Sequence, residues 1–156
     1  MAKTLWLLRH GDAQEARTSD FDRPLTQRGE RQARNVGRAF ARLGVELEHA
    51  LTSPRVRALD TARIACRELG IEPVVYAPLG GDFSLDSALE LVAAGSEDRA
   101  QLLVGHEPDF SRLIGDLTGA HVAMKKGGLA AIRLGGGHGE LLALLRPREI
   151  ELVAGH

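Results

Sequence analysis

Two histidines and several arginines stand where apolar runs stop, and these are the residues with the means for chemistry. Arg9-His10-Gly11 follows directly on Leu5-Trp6-Leu7-Leu8. A histidine at the mouth of a buried strand, beside an arginine and before a residue with no side chain, suits attack on a phosphoryl group. Imidazole offers a nucleophilic nitrogen near neutral pH. The guanidinium can present paired donors to phosphate oxygens, and the glycine lets the backbone turn and come close to a ligand. Val104-Gly105-His106-Glu107-Pro108 repeats the arrangement: an apolar run ends, glycine loosens the turn, histidine follows, and proline opens the next segment. Thr52-Ser53-Pro54-Arg55-Val56-Arg57-Ala58 joins a short apolar run to a helix, whose free N–H groups and positive dipole end suit phosphate. Arg57 lies close enough to that end to reach back to it. Asp22-Arg23-Pro24-Leu25-Thr26, after His10, reads on its own as loop chemistry.

The elements that must position these groups alternate. Residues 4–8 read as a strand and 12–26 as a long polar loop. Ala33, Val36, Phe40 and Leu43 fall at helical spacing, and Gly44 stops that helix. Residues 49–52 form a short strand, and Pro54 suits the first turn of a helix. That helix buries Val56, Leu59, Ala62, Cys66 and Leu69 and ends at Gly70. Residues 73–76 read as another strand. Ser84 can cap a helix carrying Leu85, Ala88, Leu89 and Val92, ending near Gly95. Residues 101–104 are a buried strand, and Pro108 opens a helix with Phe110, Leu113, Ile114 and Leu117, closed by Gly119. Residues 130–134 and 140–145 make a hairpin across Gly135-Gly136-Gly137-His138-Gly139. This order predicts an α/β fold: a three-layer αβα sandwich with a mostly parallel central sheet and an antiparallel edge. In such folds the ligand crevice lies beyond the carboxyl ends of the strands. Both histidines and their arginines therefore converge on one rim.

Bulk composition narrows the partners. The 156 residues fit a single domain spanning 1–156, with 44% hydrophobic and 26% charged residues, as in an ordinary globular protein. Lys+Arg total 20 against 21 Asp+Glu, and a formal net charge of -1 argues against nucleic acid or an anionic membrane as the main partner. The single cysteine, Cys66, reads as a small buried hydrophobe. No apolar run is long enough to span a bilayer and no secretory leader pattern opens the chain, so a cytoplasmic protein is the expectation, and a monomeric one because no stretch marks an oligomeric seam. Trp6 reads as core, and His49, His121, His138 and His156 as surface residues. Lys125-Lys126-Gly127-Gly128, before the hairpin, reads either as a solvated turn or as a rim that meets an acidic or phosphorylated partner.

Taken together the motifs resemble the histidine phosphatase superfamily, with its phosphoglycerate mutase-like fold, and within it the small phosphohistidine phosphatases of the SixA type. Leu8-Arg9-His10-Gly11 resembles the superfamily signature. Arg23-Pro24-Leu25-Thr26 with Gly29 resembles its loop and first helix, Ser53 to Ala58 with Thr61-Ala62 its second block, and Val104 to Pro108 its third. The resemblance runs in order through essentially the whole chain. It implies that His10 is the nucleophile, that Arg9, Arg57 and His106 surround the transferring phosphoryl group, and that Arg23 extends the pocket as a substrate-binding residue. It implies no cofactor. His10 and His106 could both ligate zinc, but no third ligand has suitable spacing and the arginines would repel a cation, so no metal is expected.

The general acid is where the chain departs from the larger members of that superfamily, which carry a carboxylate on an insertion between the second and third blocks. Only residues 76–84 occupy that stretch here. Asp82 is the nearest candidate, with Asp12 and Asp86 behind it; each also reads as a loop or helix-start carboxylate. A P–N bond leaves through a nitrogen that is easily protonated, so a dedicated acid matters less than for an alkyl ester. The expectation is therefore a phosphatase acting on phosphohistidine of a phosphorylated protein. The alternatives are a phosphomonoesterase for a small phosphorylated metabolite and a non-catalytic phosphate-binding module.

Overall fold

The computed structural model describes residues 3–16, 18–135 and 138–155. Six strands form one sheet: β1 (Lys3–Arg9), β2 (Leu47–Thr52), β3 (Val74–Val75), β4 (Ala100–Gly105), β5 (Leu129–Gly135) and β6 (His138–Leu145). Their order across the sheet is β3-β2-β4-β1-β5-β6, with the first four parallel and β5 and β6 antiparallel. Five helices cover it: α1 (Gln27–Leu43), α2 (Val56–Arg67), α3 (Leu85–Ala94), α4 (Asp109–Thr118) and α5 (Pro147–Ala154). The α/β fold with a parallel sheet and antiparallel edge is as the sequence predicts. The Gly136-Gly137 turn of the hairpin lies outside the described residues, as does His156.

Strand alternation divides the core between two faces. On one, Leu8, Ala50, Leu102, Val104 and Leu129 pack against Val36 and Phe40 of α1, the alanines of α2, and Ile150 of α5. On the other, Leu5, Leu7, Leu103 and Ile132 pack against Ala88 of α3 and Phe110, Leu113 and Ile114 of α4. β4 is buried along its whole length, as a strand flanked by strands and covered by helices must be. Trp6 is only half-buried, set edge-on to Phe40 at 5.0 Å.

Helix boundaries follow local chemistry. The Thr26 hydroxyl accepts the Gly29 amide to start α1, and Gly44, at φ 70°, ends it. Ser84 caps α3 through the Ser87 amide, and Gly119, at φ 79°, closes α4. Other expectations need correction. α2 begins at Val56, after Pro54, and its buried face is rotated from the expected one: Ala62 and Cys66 are buried as expected and are joined by Ala58, Thr61 and Ala65, while Val56 and Leu59 are only partly covered. Small side chains bring this helix close to the sheet, and the rotation carries Arg57 inward. Leu43 and Leu89, expected on buried stripes, are exposed. Pairing in the third strand extends over two residues only, Val74–Val75. Helix α5 was not foreseen. Its signal is Pro147 in the first turn and a capping box between Arg146 and Glu149.

Candidate active site

Sheet register brings the motifs together. Arg9 pairs with Gly105 across β1 and β4, and Thr52 with Val104 across β2 and β4. The next residues on these three neighbouring strand ends are His10, His106 and Ser53. The imidazoles of His10 and His106 stand 5.2 Å apart between centroids. Backbone bonds fix the rim: the His10 amide donates to the Gly105 carbonyl and the Ser53 amide to the Val104 carbonyl.

Behind His10 the chain is packed backbone to backbone. A Cβ on Gly11 would lie 2.8 Å from the Gly29 carbonyl oxygen, and one on Gly29 2.1 Å from that of Asp12. Only glycines allow the start of α1 this close to the strand end. The Gly11 amide donates to the Thr61 hydroxyl, which in turn donates to the Arg57 carbonyl, tying β1 to α2. The Gly127 amide donates to the His10 carbonyl at 2.8 Å, and the Arg9 amide to the Gly128 carbonyl. The Lys125–Gly128 stretch is thus a brace for the histidine as well as a surface turn.

The His10 ring is buried, with 5% of the residue exposed. Its Nδ1 lies 2.8 Å from the Gly11 carbonyl oxygen, which requires the proton on Nδ1 and leaves Nε2 unprotonated. The Arg57 Nε–H faces that nitrogen at 3.4 Å. Burial, and then Arg57, Arg9 and Arg23, push the His10 pKa down to about 4 against the opposing Gly11 hydrogen bond. His106 is pushed down to about 3 by burial, His10, Arg57 and Arg55. Its Nε2 lies 2.8 Å from the Ser53 hydroxyl, while its buried Nδ1 has no partner among the described residues. Both rings are therefore neutral near pH 7.

Four guanidiniums line the same cavity of about 430 Å³: Arg9, Arg23, Arg55 and Arg57. Arg9 Nη1 donates to the Met124 carbonyl, and its buried Nε has no partner among the described residues. Asp20, on a short 3-10 turn (Asp20–Asp22), gathers the other three. Its carboxylate meets Arg23 at 3.2 Å, Arg55 at 2.9 Å and Arg57 at 3.1 Å. Arg23 foremost, then Arg57 and Arg55, hold the Asp20 carboxyl below the usual carboxylate range. Each arginine also has a backbone anchor: Gln14 for Arg23, Gly80 for Arg55, and the Asp20 carbonyl for Arg57.

All five expected residues, Arg9, His10, Arg23, Arg57 and His106, line this one cavity. Of the acid candidates only Asp82 does. Asp12 faces another way, accepting from Thr26 and lying 3.8 Å from Lys126, and Asp86 is exposed in the first turn of α3. Sequence reasoning missed Asp20, Arg55 and Ser53 as members of the site. Arg55 and Ser53 had a signal, lying inside the Ser53–Ala58 motif. Asp20 had none, since a carboxylate in a polar loop is unremarkable until the fold places it. Two further carboxylates at the cavity are occupied: Glu107 accepts from the Ser111 amide and hydroxyl and the Met124 amide, and Asp109 from the Phe83 amide. Among the described residues no group of three or more His, Cys, Asp or Glu side chains is placed to hold a metal ion, and no helix is long and apolar enough to cross a membrane.

A buried neutral histidine sharing a cavity with four arginines is equipped to take up and transfer a phosphoryl group. The family model for the histidine phosphatase superfamily (branch 1) matches residues 5–80. An uncharacterized protein of Picosynechococcus is 36% identical over 140 residues, which span 84% of this chain and 85% of that one. The chain belongs to the histidine phosphatase superfamily and is a phosphatase. Within the superfamily its structure is similar to that of the protein histidine phosphatase SixA complexed with tungstate, at a TM-score of 0.85 and 26% identity, covering 95% of this chain and 99% of that one. The alpha-ribazole phosphatase from Shigella flexneri shares the fold at 22% identity and a TM-score of 0.73, covering 92% of this chain and 96% of that one.

Proposed function

We propose that the protein is a phosphohistidine phosphatase that removes the phosphoryl group from a histidine of a phosphorylated protein. The observation that carries this reading is the state of His10: Nδ1 committed to the Gly11 carbonyl, Nε2 unprotonated with only a long 3.4 Å contact to the Arg57 Nε–H, and three arginines near enough to disfavour its protonation. Nε2 attacks phosphorus while the bond from phosphorus to the substrate imidazole breaks. The departing ring, protonated from solvent on its distal nitrogen, leaves as neutral imidazole. Water then attacks the phosphoryl group on His10, orthophosphate departs, and the ring is restored. Arg9, Arg57 and His106 surround the transferring group, and Arg23, joined by Arg55, extends the anion pocket. Tungstate, the anion in the similar SixA structure, is a tetrahedral oxyanion like phosphate.

The choice of leaving group rests on the acid. Asp20, Glu107 and Asp109 are engaged by protein donors, so the cavity holds one carboxylate without a hydrogen bond or ion pair among the described residues, Asp82. It is exposed at the edge of the cavity rather than enclosed over the histidines, which favours a leaving group that needs little help. Asp82 is also what supports the second reading, hydrolysis of a small phosphorylated metabolite.

The test is phosphate release from a phosphohistidine protein and from an aryl phosphate, side by side, with His10→Ala as control and a chelator present. Turnover of the phosphohistidine substrate that needs His10 and survives chelation is the expected result. Turnover of the aryl phosphate alone gives the second reading, and binding without turnover of any phosphorylated substrate gives a phosphate-binding module.

A further inference from the structure

Next to the site lies a second cavity of about 530 Å³ whose charge the reaction does not require. Six cationic side chains and a single carboxylate, Asp12, line it. Arg9 and Lys126 belong to both cavities and form the wall between them. The others come from three separate elements: Arg28 from the first turn of α1, Lys125 from the brace before β5, and Arg146 and Arg148 from the start of α5. Two of the cations are already matched, Lys126 by Asp12 and Arg146 by Glu149. Arg28, Lys125 and Arg148 are exposed and have no carboxylate within 4.0 Å among the described residues. A chain of net charge -1 thus concentrates unmatched positive charge in one concavity beside the His10 site, the two sharing Arg9 and Lys126. Cations held near one another repel, and a concavity lined by one sign focuses the field outward. Such an arrangement is stabilised by an anion.

We propose that this cavity is a second anion subsite, which receives a carboxylate or phosphate carried by the same substrate whose phosphoryl group enters the His10 site. The inference deepens the functional reading above and rests on it for the substrate's first anchor. On a protein substrate the second anion is an acidic side chain near the phosphorylated histidine. On a small molecule it is a second phosphate. The subsite selects among substrates and adds nothing to the chemical step, so its effect falls on binding and on KM rather than on kcat.

Two matched pairs test this: phosphohistidine peptides flanked by glutamate or by glutamine, and an alkanediol bisphosphate beside the corresponding monophosphate. Their Kd values are measured by calorimetry on His10→Ala, so that the comparison does not depend on turnover, and kcat and KM on the unmodified protein. The variant is Arg28→Glu/Arg148→Glu, two exposed residues outside the catalytic set and outside the brace behind His10, with aryl phosphate turnover reporting an intact fold and site. The more anionic member of at least one pair is expected to bind about tenfold more tightly, as two or three solvent-screened charge contacts allow. That preference is expected to vanish in the double variant and to shrink with added salt, while aryl phosphate kinetics stay unchanged. The pair that shows the preference identifies the source of the anion. Equal affinity within both pairs, or a preference that the double variant retains, overturns the subsite. Turnover of aryl phosphate without turnover of either peptide overturns the phosphohistidine reading instead and leaves the subsite to the bisphosphate pair.

Discussion

Lowering the pH from 7 to 5 removes stability from this fold, and the loss can be worked from two side chains. His10 titrates at about 4 and His106 at about 3 in the native state, against the ordinary histidine value of 6.5. Both native values are depressed, so between pH 6.5 and 4 the unfolded chain binds protons that the folded one refuses. Stability is then full above 6.5 and falls as the pH falls, by up to about 1.4 kcal/mol per pH unit for each histidine. Down to pH 5 each group contributes about 2 kcal/mol, and together they remove about 4 kcal/mol of the 5–15 kcal/mol typical of a domain. The carboxylates that the fold favours, Asp20, Glu48 and Glu149, are held below their usual range and lose their contributions at lower pH still. The assay is urea unfolding at pH 7, 6 and 5 in buffer free of phosphate, because an oxyanion in the site would draw both histidines back toward the protonated form. His10→Ala is expected to fold and to show about half the slope. A midpoint that does not move between pH 7 and 5, or an unaltered slope in His10→Ala, refutes the account of two neutral buried imidazoles.

Other substitutions separate the parts of the site. Arg57→Ala is expected to remove about 2–4 kcal/mol of transition-state stabilisation, as for a lost preorganised donor; a fall of less than tenfold in kcat/KM contradicts its assignment. Asp20→Asn takes a competing anion away from three guanidiniums that keep their backbone anchors. Orthophosphate should then inhibit more strongly, by roughly threefold to tenfold at the scale of exposed ion pairs, and a weaker inhibition constant would show that the carboxylate positions the arginines instead. Asp82→Asn should slow hydrolysis of an alkyl phosphate by about tenfold or more while changing phosphohistidine turnover by less than about threefold; equal losses on both substrates would disprove that division. Gly29→Ala would place a Cβ 2.1 Å from the Asp12 carbonyl oxygen, and thermal unfolding should show a loss well beyond the roughly 1 kcal/mol of a typical substitution.

Much of this was legible in the chain because the chemistry sits on regular elements. His10 and His106 each follow an apolar run that ends in the same place on the sheet, and the rule that α/β crevices form at strand carboxyl ends was enough to bring them together. Arg57 was legible for a similar reason, being the second residue of a helix that starts at that edge. What periodicity misjudged was the turn of α2. Counting large apolar residues favoured Val56, Leu59 and Leu69, whereas the helix packs through Ala58, Ala62 and Ala65, whose small size allows close approach. A hydrophobic pattern weighs bulk, and a close helix–sheet contact selects against it.

Asp20 shows where sequence reasoning ends. Its partners Arg55 and Arg57 are 35 and 37 residues away, and no local signal connects them. The electrostatics nevertheless require something of the kind. Arg23, Arg55 and Arg57 converge on one cavity beside two histidines that burial keeps neutral, so the free site carries several positive charges and no phosphate to balance them. An exposed carboxylate reaching all three arginines, 57% of its side chain open to solvent, supplies that balance loosely. It is wet enough to be displaced by a phosphoryl dianion at small cost, yet present whenever the site is empty. A buried carboxylate in its place would have bound the arginines more firmly and blocked the anion they are placed to receive.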